Sequence, residues 1–306
     1  MVTKDITLVD YFHTWIKTYK LNSVMFVTYK KYEMTEKRLI EMVPTMQLRS
    51  MKRNDYQFII NKYGETHEVQ TTKDFHHQLH CAIKDAVYDG FIKKDPAYKV
   101  QMTGLPKKKR PDKFLSIEQL GRLLGKLDFE TLPSENIGIL VAAKTGVRFA
   151  ELLGLTRKDF DFENNMISVN KTWDYKTGDN AGFLPTKNKS SVRKIVIDRK
   201  LSDFLQGWIG DIKGDYPVFV NKRVFNSTYN KILENVCKAA GVPVITMHGL
   251  RHTHASVLIA NGVSVMTVSR RLGHSNVSTT QETYIHLIAE IASRDDHTML
   301  AALSGL

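Results

Sequence analysis

The sequence predicts a mainly α-helical protein with a small antiparallel β-sheet, an α+β chain divided into two domains. Three observations lead there. The first hundred residues hold four stretches with apolar residues at helical spacing, a cationic run bracketed by prolines follows, and β-branched clusters are confined to two short stretches of the remainder. A length of 306 residues, 42% hydrophobic and 25% charged, suits two globular domains.

In LVDYFHTWIKTYK, residues Leu8, Phe12, Trp15, Ile16 and Tyr19 form one stripe, and VTYKKYEMTEKRLIEMV carries the helical pattern on to Pro44. RNDYQFIINKYGE predicts a third helix ending at Gly64, and TTKDFHHQLHCAIKDAVYDGFI a fourth ending near Gly90. Asn54 and Thr72 are the expected N-caps of these two. His76, His77 and His80 lie in the fourth helix and read as surface or groove residues rather than ligands. Residues 1–104 are therefore expected to be a compact helical domain. Next comes TGLPKKKRPDKF, where two prolines enclose Lys107, Lys108, Lys109 and Arg110 and neither helix nor strand can continue. Residues 105–113 are expected to be a basic linker that tracks phosphates.

The second domain, 114–306, opens on LSIEQLGRLLGKLD, where Ser116 and Gln119 make a capping box ahead of Leu120, Leu123, Leu124 and Leu127. A helix from about Glu135 to Lys144 stops at Gly146, and a short one around Arg148–Leu153 stops at Gly154. MISVNKTW and VRKIVI read as strands joined by a Gly- and Asn-rich turn. Helices return in STYNKILENVCKAAG, HGLRHTHASVLIANG, VSVMTVSRRLG and STTQETYIHLIAEIA, the last with Ser278 and Gln281 as its expected capping box.

Lys and Arg number 44 against 32 Asp and Glu, a net charge of +12. Residues 1–110 alone hold 20 basic and 12 acidic side chains. Such an excess favours a polyanionic partner, nucleic acid foremost, over charge carried for solubility alone. Cys81 and Cys237 stand alone, with no spacing for zinc or a disulfide framework, so a reducing cytoplasm is the expected setting. No apolar run is long enough for a membrane span, and MVTKDITLVDYFHTW lacks a signal-peptide pattern.

MHGLRHTHASVL crowds His248, His252 and His254 into seven positions, a spacing that invites a helical zinc site. Between His248 and His252, however, stand Gly249, Leu250 and Arg251: the general-base Glu of a metalloprotease is missing and a cation opposes the metal. His248 and Arg251, three apart, instead share a helix face suited to a phosphate. Other segments add to the pair. TGVRFAELLGL sets Arg148 after a glycine stop, PTKNKSSVRKIVI sets Lys187 in a polar turn at the sheet edge, and LGHSNVSTTQETYIH supplies His274 and Tyr284. Two arginines, two histidines, a lysine and a tyrosine are the parts needed to cleave a phosphodiester without metal.

These segments resemble the signature of the tyrosine recombinases, the integrase family of phages and mobile elements. Its pattern is an Arg in TGxRxxEL, a hairpin Lys, HxxR, a Gly-His, and a Tyr ten residues on, filled in order here by Arg148, Lys187, His248, Arg251, His274 and Tyr284. The match covers most of residues 113–290, and residues 1–104 resemble, less specifically, the family's helical core-binding domain. Gly249 departs from the Asp of many relatives, and Lys189, two positions from Lys187, is a rival hairpin lysine because strand residues two apart point the same way.

The resemblance implies a site-specific DNA recombinase that integrates or excises a mobile element or prophage. Tyr284 would attack a DNA phosphate to give a 3′-phosphotyrosyl link, Arg148 and Arg251 would hold the non-bridging oxygens, Lys187 would protonate the leaving 5′-oxygen, and His248 and His274 would assist. His252 and His254 would pack or hydrogen-bond behind the site. No metal, ATP or other cofactor is implied. The implied partners are double-stranded DNA attachment sites, a homotetramer on two such sites, an excisionase and DNA-bending host factors, in the bacterial cytoplasm. The tail after Tyr284 would dock on a neighbouring subunit. No segment reads as the additional N-terminal arm-binding domain that such integrases often carry. Two other readings compete: a non-enzymatic helix-turn-helix regulator built on VSVMTVSRRLGHSNVSTTQETY, and a zinc hydrolase built on the histidines.

Overall fold

The computed structural model describes residues 6–107, 114–131, 133–177, 181–210, 212, 214–278 and 280–284. Lys108, Lys109 and Arg110, and the tail beyond Tyr284, lie outside the described residues; Lys107 is exposed. The chain forms two compact units, Met1–Lys109 and Arg110–Leu306, each with its own apolar core.

The first unit contains α1 (Leu8–Tyr19), α2 (Phe26–Met42), α3 (Arg53–Gly64) and α4 (Val69–Tyr88). Thr7 caps α1 by accepting the Asp10 N–H at 3.1 Å, and the stripe Leu8, Tyr11, Phe12, Trp15 and Ile16 is buried. Tyr19, which the helical spacing adds to that stripe, is half exposed. From α4 come Phe75, Leu79, Ala82, Ile83 and Ala86, and the Trp15 indole N–H donates to Asp85 across the bundle at 2.7 Å. Both helix starts differ from the sequence expectation. Lys52, not Asn54, is the N-cap of α3, because the Asp55 carboxylate accepts the Lys52 N–H at 2.8 Å. Glu68 is the N-cap of α4, and Thr72 is buried one turn inside, because Val69 N–H is already held by the Leu105 carbonyl at 3.2 Å. The return bond from Leu105 N–H to His67 keeps residue 105 within the first unit. His76 is half-buried and bonded to the Tyr56 hydroxyl at 2.9 Å, and His80 to Asp95 at 2.8 Å.

In the second unit α5 (Ile117–Leu124) starts at the Ser116–Gln119 capping box. α6 (Pro133–Thr145) is buried on all sides, as a central helix must be if apolar all round. α7 (Phe149–Leu153) is a short turn of helix. The strands form two sheets where the sequence suggests one. β1 (Phe160–Asp161), β2 (Met166–Val169) and β5 (Arg193–Val196) make an antiparallel sheet in the order β1-β2-β5, while β3 (Lys171–Trp173) pairs with β4 (Phe183–Pro185). Period two decides the buried face: Ile167, opposite Ile195, is buried with it, whereas Val196 is exposed. α8 (Arg199–Ile209), capped by Asp198, was not foreseen from the sequence. α9 (Asn226–Ala239), α10 (Met247–Ala260) and α11 (Val265–Leu272) follow, with α6 packed on α9 and α10. Residues 277–278 and 280–284 are helical; Asn276, whose side chain accepts the Ser278 N–H at 2.9 Å, takes the capping place expected of Ser278.

Leu79 is fully buried at the centre of the first core. Leu79→Ala should destabilise that unit by about 2–5 kcal/mol, read as a lower urea midpoint in the signal from Trp15.

Candidate active site

Two glycine turns bring the site together. Gly146, at φ +69°, ends α6, and Gly273, at φ +70°, ends α11. A side chain at Gly146 would lie 2.7 Å from the His254 ring, and one at Gly273 would lie 3.1 Å from Arg193 and from the Ser190 carbonyl. Arg251, on α10 and only 3% exposed, reaches between these turns: one terminal nitrogen donates to the Gly146 carbonyl at 2.7 Å, the other to the Leu272 carbonyl at 2.8 Å. Burial, with the charge of Arg148 next, lowers its pKa to about 9, so it remains a cation at neutral pH.

Arg148 is the N-cap residue of α7. Its guanidinium donates to Glu151 at 2.7 Å and to the Gly273 carbonyl at 2.9 Å, and more distantly to the Ser191 hydroxyl at 3.4 Å. Glu151 is fully buried and also receives Arg193 at 2.9 Å. Burial pushes its carboxyl upward, but Arg193, through charge and hydrogen bond, together with the Arg148 N–H and charge, holds it below the ordinary carboxylate range. Arg193 also donates to the carbonyls of Arg271 at 2.6 Å and Ser191 at 2.8 Å, fastening β5 to the end of α11.

Tyr284 is 2% exposed, packed with Ala255, Ile259, Val268 and Leu272. Its hydroxyl meets His252 Nδ1 at 2.8 Å. Burial raises the phenol pKa and the Arg251 charge opposes that rise, so the hydroxyl is protonated at neutral pH. His248 lies edge-on against the His252 ring, centroids 4.6 Å apart. His274 Nδ1 pairs with the Thr280 hydroxyl at 2.7 Å. Burial, then the charges of Arg251, Arg148 and Arg193, lower its pKa to about 4, which leaves the imidazole neutral.

Five of the six residues singled out in the sequence thus fall into one network of contacts and charges: Arg148, His248, Arg251, His274 and Tyr284. Lys187 is exposed beyond β4, with no hydrogen bond or ion pair to another described residue. Lys189 is the first residue of a 3-10 turn, Lys189–Ser191, so the strand geometry that makes it equivalent to Lys187 is absent. The segment still borders the site, since Ser191 contacts Arg148 and Arg193. Sequence reasoning missed Arg193; the one signal was a cation in a β-branched strand, and its partner Glu151 lies 42 residues away. It also set His252 behind the site, where the structure puts it against the tyrosine, four residues and one helical turn from His248. His254 does lie behind: its Nε2 accepts from Arg271 at 2.9 Å, its Nδ1 bonds the Ala143 carbonyl at 3.0 Å, and burial lowers its pKa to about 4. Among the described residues no three His, Cys, Asp or Glu side chains are grouped to hold a metal ion, and no helix is long and apolar enough to cross a membrane.

The phage integrase family model matches residues 113–290, more than half of the sequence and all of this site. The chain belongs to that family. It is a tyrosine recombinase, as the motifs led one to expect. The tyrosine recombinase XerC-like protein of Caldanaerobacter subterraneus is 29% identical over 93% of this chain and 80% of its own length. Other curated relatives are spanned over 43% to 65% of their length. Among solved structures, the Tn1549 transposon integrase in complex with a circular intermediate DNA has a TM-score of 0.78 at 22% identity, covering 91% of this chain and 95% of that one. The lambda integrase tetramer bound to a Holliday junction has a TM-score of 0.66 at 17% identity, covering 90% and 79%. Both share the family fold.

Glu151→Gln removes the anion between Arg148 and Arg193 and should cost on the order of 3–5 kcal/mol at pH 7, measured by urea unfolding. A depressed carboxyl stabilises the fold above the ordinary glutamate value of 4.5 and loses that contribution as pH falls through its folded value. The gap between wild type and variant should therefore narrow in acid. Gly146→Ala, strained by positive φ and crowding His254, should lower the melting temperature, equivalent to about 1–3 kcal/mol.

Proposed function

We propose that this tyrosine recombinase cuts and rejoins duplex DNA at specific attachment sites, integrating or excising a mobile element, with Tyr284 as the nucleophile. The observation that carries the assignment is the convergence of the part-buried Arg148 and the buried Arg251 guanidiniums with a tyrosine hydroxyl held on α10 by His252. Tyr284 attacks phosphorus and takes the 3′-phosphate. Arg148 and Arg251 neutralise the charge that develops on the non-bridging oxygens. Lys187, on the exposed segment bordering the site, protonates the leaving 5′-oxygen, and His248 and His274 hydrogen-bond the phosphate. The covalent link conserves the bond energy, so religation to a second strand needs neither ATP nor metal.

DNA is the substrate that the charge, the family and the DNA-bound neighbours all favour. Lys107, Lys108, Lys109 and Arg110 form a basic linker between a DNA-binding unit and the catalytic unit. Four protomers assemble on two sites, as in the lambda integrase tetramer, with an excisionase and DNA-bending host factors as further partners, in the bacterial cytoplasm. A helix-turn-helix regulator would leave the Arg148, Arg251 and Tyr284 arrangement without use.

A nicked suicide duplex separates these readings. The wild type should form a denaturation-resistant DNA adduct, undiminished in EDTA, and Tyr284→Phe should bind the duplex without forming it. No adduct from the wild type refutes the recombinase reading; loss in EDTA favours the zinc hydrolase. Arg148→Ala and Arg251→Ala should each slow adduct formation by about 10²-fold or more. Lys187→Ala should be similarly slow and Lys189→Ala near wild type; the opposite order would move the acid to Lys189.

A further inference from the structure

Resting on the recombinase reading, we infer that His252, rather than His248 or His274, takes the proton from the Tyr284 hydroxyl as that oxygen attacks DNA. The geometry assigns it: His252 Nδ1 stands 2.8 Å from the Tyr284 oxygen, on a half-buried turn of α10, while the hydroxyl is packed away from solvent. A buried phenol that enters the reaction protonated must give its proton to a base already in place. The neighbouring cations, Arg148, Arg193 and Arg251, have no acceptor atom. His254 is engaged on both nitrogens, by Arg271 and by the Ala143 carbonyl. His274 has its Nδ1 on Thr280 and stands among the same guanidiniums. His248 lies edge-on against the His252 ring, which itself stands against the phenol.

The step balances. In the tautomer with its hydrogen on Nε2, His252 accepts on Nδ1. As the bond from the tyrosine oxygen to phosphorus forms, the O–H bond breaks and its proton passes to Nδ1. The bond from phosphorus to the 5′-oxygen breaks, and that oxygen is protonated by the separate acid assigned above. On religation the incoming 5′-hydroxyl gives its proton back to that now deprotonated acid as its oxygen bonds to phosphorus, the bond from phosphorus to the tyrosine oxygen breaks, and the imidazolium returns its proton to the phenolate. Because Nδ1 touches the reacting oxygen, His252 is a catalytic residue in this assignment. An alternative is that His252 only aims the hydroxyl.

Four proteins, timed against wild type, decide between base and aim: His252→Ala, His252→Asn, and wild type and His252→Ala each carrying 3,5-difluorotyrosine at position 284, whose more acidic phenol needs less help. Adduct formation on the nicked suicide duplex is timed for all of them. His252→Ala should be slower than wild type by about 10²-fold or more, the range of general-base catalysis. His252→Asn, which retains a short polar side chain but cannot carry the proton, should be no faster. With difluorotyrosine the His252→Ala deficit should shrink by about tenfold or more. Restoration by Asn to within about threefold of wild type, or an unchanged deficit with the fluorinated phenol, overturns the proton-transfer role. A wild type that forms no adduct overturns the recombinase reading and this one with it; a reactive wild type with either of the preceding results overturns this one alone.

Discussion

The catalytic unit depends on one constraint: a guanidinium that is buried must be hydrogen-bonded or expelled. Arg251 meets it with two backbone carbonyls, those of Gly146 and Leu272, which lie far apart in sequence and at the ends of different helices. Once Arg251 is inside, α6 and α11 must end where they do, with left-handed turns at Gly146 and Gly273 that expose those carbonyls to it. The turn after α6 sets Arg148, and the turn after α11 sets His274. Arg251 thus fixes the geometry of its neighbours, and Arg193 and Arg271 repeat the device, each binding a carbonyl of a segment other than its own.

The electrostatics follow from the same crowding. Glu151 is the carboxylate shared by Arg148 and Arg193, and its charge also supports Arg251. Around this excess of cations the imidazoles of His254 and His274 are neutral at pH 7. Neutral imidazoles can accept as well as donate, which a proton-transfer site requires. The phenol feels two opposed influences, burial and Arg251, and burial prevails.

Much of this was legible in the sequence because the signals were local. Capping at Ser116, the glycine stops at Gly146 and Gly154, and the i,i+3 spacing of His248 and Arg251 all act within one or two turns of chain. What escaped depended on distant partners. Thr72 has the chemistry of a cap, but Leu105 pairs with Val69 and starts the helix a turn earlier. The VRKIVI pattern gave a strand, but nothing local said that Arg193 would face Glu151 from 42 residues away. His252 reads as one more helix residue until the fold brings Tyr284, 32 positions later, against it.

The arginine cluster has a further consequence for the energy of the protein without DNA. Three guanidiniums gathered around a single carboxylate repel one another, and the fold carries that repulsion as a standing penalty. On the proposed reading a DNA phosphate among them would relieve it, so part of the affinity for DNA would come from repulsion the fold already carries. By mass action the same term returns as stability: occupancy raises the unfolding free energy of the catalytic unit in proportion to the logarithm of DNA concentration over its dissociation constant. Salt, by screening the repulsion beforehand, erodes both effects together. On that reading the unit would be firmest when it holds its substrate.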